Sequence, residues 1–163
     1  MSRTYLGLRT SVDTQEPSTS WNEGSFRRIL VAFDGSERSW KALRMGISLA
    51  WQHDAELWAL SVEENLPRFP ATMGEVQDEK EREDREYEEL HARARELAEA
   101  RGVSLHSTIV PGRTVPTILS YARGGAFDLI VLGGDVYSNL WKALMGTANR
   151  VSRGACCSVM VVR

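Results

Sequence analysis

The chain has 163 residues, is 42% hydrophobic and 26% charged, and carries a formal net charge of −2, which fits one globular domain with a full core. It has no concentrated Lys/Arg patch of the kind nucleic acid requires, no apolar run near the roughly 20 residues needed to span a bilayer, and no apolar signal-like core at its N-terminus, so the expected compartment is the cytoplasm. The only cysteines, Cys156 and Cys157, are adjacent, which excludes a disulfide framework.

Residues 1–25 are polar, rich in Ser and Thr and without a sustained period, so they are expected to form a flexible extension ahead of a domain spanning 26–163. Tyr5, Leu6, Leu8 and Trp21 are side chains of it that could dock on the body. Order is expected to begin at RRILVAFD, where Ile29 to Phe33 is a short continuous apolar run, the pattern of a strand buried on both faces. Asp34-Gly35-Ser36 follows as a turn, with Ser36 as helix cap and Glu37 at the positive end of the helix dipole. Trp40, Leu43, Ile47, Ala50 and Trp51 then recur at helical spacing, and Glu56 to Val62 reads as a second strand.

Residues 64–74 hold two prolines and read as a loop. Glu75 to Arg101 reads as a long charged helix whose second half carries an apolar stripe of Tyr87, Leu90, Ala94 and Leu97, with Gly102 ending it. VSLHSTIVPG is a third strand, Thr114 to Arg123 a short helix, FDLIVLGG a fourth strand, Thr147 to Arg153 a helix, and SVMVVR a terminal strand. His53, His91 and His106 lie on three elements without metal-ligand spacing and are expected at the surface or an interface.

Buried strands alternating with helices predict an α/β fold, a five-stranded parallel sheet with helices on both faces. Such sheets bind ligands beyond the C-terminal ends of their strands, where the strand order reverses. In the order 3-2-1-4-5 that point lies between the first strand, ending at Asp34, and the fourth, ending at Gly133-Gly134.

RILVAFDGSERSWKAL, the strand ending LSVEE, DLIVLGG, the helix start MGTANRV and the terminal SVMVVR together resemble the universal stress protein family over residues 26–163. The resemblance implies a Rossmann-like fold of the adenine nucleotide alpha hydrolase type. It also implies two branches. One binds ATP through Gly, two residues, Gly, nine residues, Gly and then Ser or Thr; the other lacks these glycines and does not bind ATP. Here Gly133 and the Gly146-Thr147 pair match at the right spacing, and Val136 stands where the second glycine belongs.

By this resemblance the nucleotide, ATP or AMP, with Mg²⁺ as a candidate companion, would meet Ala32, Asp34, Val62, Leu132, Gly133, Gly146, Thr147, Ala148 and Asn149. A helix start at Gly146-Thr147 offers N–H groups and a positive dipole end to a phosphate, although Thr147 could equally cap its own helix. Asp34 could meet ribose hydroxyls or serve only as a turn residue. Val136 disfavours positive φ and fills space, Asp135 repels a triphosphate unless Mg²⁺ intervenes, and Lys142 offsets part of that charge. Two readings therefore stand: a stress-response regulatory domain that binds adenine nucleotide, and a nucleotide-independent dimeric stress scaffold. Neither is an enzyme reading, since the sequence displays no general base or arginine finger. The resemblance further implies a homodimer through the C-terminal strand, residues 158–163, which would remove a bare apolar edge.

Overall fold

The computed structural model describes residues 25–64, 73–134 and 146–163, with only the backbone of 73–81. The readings placed on Asp135, Val136 and Lys142 lie outside the described residues. In chain order the elements are β1 (Arg28–Ala32), α1 (Glu37–His53), β2 (Glu56–Glu63), α2 (Met73–Glu99), β3 (Leu105–Pro111), α3 (Thr114–Gly124), β4 (Leu129–Gly133), α4 (Thr147–Gly154) and β5 (Ser158–Val162).

The strands form one five-stranded sheet in the order β3-β2-β1-β4-β5, with every pairing parallel. This is the predicted topology, and its cause is visible in the strands. Ile29 and Val31 of β1 enter one core with Leu57, Ala59, Leu129 and Val131, while Leu30 enters the other with Leu60, Ile130 and Leu132. A strand buried on both faces has no polar side to show, so its sequence is apolar throughout. The first core lies under α1 and the second half of α2, and the second lies under α3 and α4. At the N-terminal edge of the sheet the Asp128 carboxylate accepts the N–H groups of Arg27 and Arg28, at 2.8 and 3.2 Å, which fixes β1 against the start of β4.

Helix α1 begins as expected: the Ser36 hydroxyl accepts the Ser39 N–H. Gly35 before it has φ +77°, and this positive φ lets the chain turn sharply out of β1. Helix α2 starts two residues ahead of the expected Glu75 and ends at Glu99. Cys157 packs against the second core, and Cys156 is exposed.

Two expectations are corrected. Trp51 follows the helical period of α1 but is 69% exposed, because the buried face runs through Leu43, Ile47 and Ala50 and Trp51 lies beyond its margin. His91, expected at the surface or an interface, is 3% exposed within the first core's side of the sheet. Among the described side chains of α2 the buried ones are His91, Ala94 and Ala98, a stripe at spacings of three and four that a polar letter concealed.

Candidate functional site

At the C-terminal edge of the sheet, where β1 and β4 pair side by side and the helices that follow them, α1 and α4, lie on opposite faces, the structure opens a cleft of about 240 Å³. Ala32, Asp34, Val62, Leu132, Gly133, Thr147 and Ala148 line it, all of them predicted site residues. Gly146 and Asn149 belong to the adjoining start of α4 and are not part of the lining. The remaining wall comes from residues the sequence reading did not place there: Phe33, Ser36, Arg38 and Ser39 from the β1–α1 turn, Leu60 from β2, and Thr114 and Ile118 from α3.

Asp34 carries the negative charge of the cleft. Burial raises its carboxyl, but hydrogen bonds from Ser36 and Ser39 and the Arg38 guanidinium outweigh that and hold it below the ordinary carboxylate range. Its Oδ1 accepts the Ser36 N–H at 3.0 Å. Asp34 is therefore an anion and an acceptor at neutral pH, suited to hydroxyl groups and unsuited to a bare phosphate.

Three helices begin around this cleft, and their first turns differ. In α1 the cap is the Ser36 hydroxyl. In α3 the residue at the cap position, Arg113, makes no side-chain cap bond; instead the Glu64 carboxylate reaches across from the end of β2 and accepts both the Thr114 N–H, at 2.8 Å, and the Thr114 hydroxyl. These bonds, with Arg113 and Arg150 nearby, hold the Glu64 carboxyl below its usual value. In α4 the cap position is Gly146, which has no side chain to offer a cap bond of its own. Thr147 is the first helical residue and not the cap, so the self-capping reading of Thr147 is set aside.

Gly133 has a second role that the motif spacing concealed. A Cβ there would lie 2.6 Å from the carbonyl carbon and oxygen of Arg38. The first turn of α1 thus packs directly on the end of β4, and glycine is needed to admit it whether or not a ligand is present.

Behind Asp34 lies a buried polar relay. The Ser61 hydroxyl donates to the Phe33 carbonyl at 2.6 Å, and His91 Nε2 lies 2.7 Å from the same oxygen. With the Ser61 proton committed to Phe33, His91 donates its Nε2–H to Ser61. The Phe33 ring stacks on His91 at 6.2 Å and meets Trp40 edge-on at 4.9 Å. Burial, and then the charge of Arg95, lower the His91 pKa, so the ring is neutral at neutral pH.

Arg38 and Ser39 were readable only in retrospect, as residues in the first turn of the helix that follows the switch-point strand. Glu64 and Thr114 are fifty positions apart. Only the β2–β3 register, which sets Glu63 beside Pro111, brings them together.

The universal stress protein family profile matches residues 25–163. A universal stress protein of Methanocaldococcus jannaschii is 32% identical over 145 residues, covering 86% of this chain and 84% of that one. Among solved structures, the universal stress protein UspA of Lactobacillus plantarum superposes with a TM-score of 0.73 at 26% identity, covering 85% of this chain and 99% of that one. A universal stress protein solved in complex with cAMP shares the fold, with a TM-score of 0.64 at 21% identity over 85% of this chain and 98% of that one. With a parallel sheet in the order 3-2-1-4-5, a cleft at its switch point and a profile spanning every described strand, the chain belongs to the universal stress protein family.

Proposed function

We propose that this chain is a stress-response regulatory domain that holds an adenine nucleotide, ATP or AMP, in the cleft between β1 and β4. The observation that carries this reading is the contrast among the three helix starts. Those of α1 and α3 are capped by Ser36 and by Glu64, while the cap position of α4 is Gly146, which has no side chain to place there. An anion is best accommodated at the helix start that no acidic or hydroxyl side chain already serves. The phosphate would sit against the N–H groups of Thr147, Ala148 and Asn149 with the Thr147 hydroxyl beside it, Gly146 allowing close approach. Asp34 would accept the ribose hydroxyls, and Ala32, Val62 and Leu132 would flank the base beside Gly133. The likeness to a family member in complex with cAMP supports the same ligand class. Where a triphosphate came with Mg²⁺, Asp34, the only carboxylate of the described lining, would be the residue to hold the ion in place of the ribose, and the ion would offset phosphate charge.

The chain would retain its nucleotide and not turn it over, since no group in the described lining is a neutral base positioned beside a phosphate. It would act in the cytoplasm as a homodimer through β5. That strand pairs only with β4 among the described strands, and it leaves Val161 38% exposed on an apolar edge.

A second reading, a nucleotide-independent dimeric scaffold, draws on Gly133, whose contact with Arg38 accounts for the glycine without any ligand. Calorimetric titration with Mg-ATP, Mg-ADP and AMP, on the natural chain and on Val136→Gly, separates the two. Heat of binding in the natural chain supports the first reading. Silence at millimolar ligand supports the second, and binding by Val136→Gly alone identifies Val136 as the block.

A further inference from the structure

The polar side chains of the described cleft lining fall into three groups. The β1–α1 turn supplies Asp34 and the groups that serve it, α4 supplies Thr147, and α3 supplies Thr114. Thr114 and Ile118 are one turn apart on the same face of α3, and Val62 at the end of β2 continues their wall. Thr114 is thus the polar group of an otherwise apolar side of the cleft.

Its hydroxyl is not free to point either way. The hydrogen bonds from Thr114, and then the charges of Arg113 and Arg150, hold the Glu64 carboxyl below its ordinary range, so Glu64 is ionised at neutral pH. An ionised carboxylate only accepts, and the Thr114 hydroxyl therefore donates to it. Lone pairs are all that the Thr114 oxygen has left, which makes it an acceptor toward the cleft. The arrangement is held in place by the backbone. The Thr114 N–H donates to the same Glu64 oxygen at 2.8 Å. The Gly112 N–H donates to the Glu63 carbonyl at 2.9 Å, which ties the turn before α3 to the end of β2.

We propose that Thr114, oriented by Glu64, reads the base of the bound nucleotide by accepting an N–H of the exocyclic amine of adenine. The inference rests on the nucleotide reading above and adds the group that tells one purine from another. Hypoxanthine and guanine carry a carbonyl oxygen where adenine carries its amine. Against a fixed acceptor that oxygen finds no proton, and both groups are left unpaired away from water. Thr114 would touch the ligand, whereas Glu64 acts through Thr114 and is a positioning residue.

The test is calorimetric titration of the full chain with AMP and with IMP, which differ at that one place on the base. The natural chain is expected to favour AMP by roughly tenfold or more, the value of a hydrogen bond whose loss strands its acceptor. Thr114→Val keeps the branched shape and the N–H bond to Glu64 and removes the oxygen, so the preference should fall to about twofold or less. Thr114→Ser restores the oxygen and should restore the preference. Glu64→Gln can donate its amide to Thr114 and release the hydroxyl proton toward the cleft, so the preference should shrink there too. Melting curves on the same preparations show that each variant is folded. An unchanged preference in folded Thr114→Val overturns the proposal. Equal affinity for AMP and IMP in the natural chain overturns it as well, while the nucleotide reading stands. Silence toward both ligands at millimolar concentration overturns that reading and this proposal with it.

Discussion

A Cβ on Gly133 would stand 2.6 Å from the carbonyl oxygen of Arg38, so the end of β4 and the first turn of α1 share a contact that only glycine permits. Gly133→Ala is therefore expected to destabilise the chain by about 1–3 kcal/mol, the usual cost of overpacking against atoms that cannot move away. Urea denaturation without nucleotide checks this. A variant of natural stability that has lost nucleotide binding would show that the glycine serves the ligand alone.

Thr147→Ala should behave in the opposite way. The cap position of α4 is Gly146 and not Thr147, so removing the hydroxyl takes no cap from the helix and thermal stability should be nearly unchanged. Loss of a hydrogen bond to a charged phosphate is worth about 1.5–3 kcal/mol, so nucleotide affinity should fall about tenfold or more. Calorimetry and a melting curve on the same preparation read both quantities.

Val161→Lys places a charge on the outer, apolar edge of β5. If that edge joins two chains, light scattering at micromolar concentrations should give the dimer mass for the natural chain and the monomer mass for the variant. A monomer in both would refute the dimer.

His91 gives the pH dependence a direction. Its pKa in the folded chain lies below its ordinary value, because of burial and then Arg95. The contribution to stability is thus fully present above the unfolded value, about 6.5, and is lost as pH falls through the lower folded value. Denaturant midpoints measured between about pH 5 and 8 should decline on the acid side. His91→Gln should flatten that decline, while retaining a donor for Ser61. An unchanged profile in the variant would assign the acid sensitivity to other groups.

The fold was legible because its strands announce themselves. Ile29 to Phe33 and Leu129 to Leu132 are apolar at consecutive positions, and only a strand covered on both faces tolerates that. The cleft was legible on strand ends at Asp34 and Gly133, while Ala32, Val62 and Leu132 read as plain core residues and were brought to it by the family resemblance alone. It was opaque where it depends on distant partners. Glu64 meets Thr114 only through the β2–β3 register, and nothing local marks either residue. Trp51 and His91 misled in opposite directions for one reason. Helical spacing gives the angle of a side chain around its axis, whereas burial also depends on which neighbour covers that angle. Trp51 lies past the margin of the face that Leu43, Ile47 and Ala50 bury, and His91 is enclosed beside Ser61 and Phe33.

Beyond the last ladder position of β1, the chain remains tied to β2: the Phe33 N–H donates to the Leu60 carbonyl at 2.9 Å, and the Phe33 carbonyl accepts the Ser61 hydroxyl. Ala32 and Val62 flank this double tie on the side of the cleft. The placement of these two residues is consequently fixed by the backbone and needs no guest to set it. A base bound there as proposed would meet a wall already in place, and adjustment to one phosphate or several would fall to the start of α4.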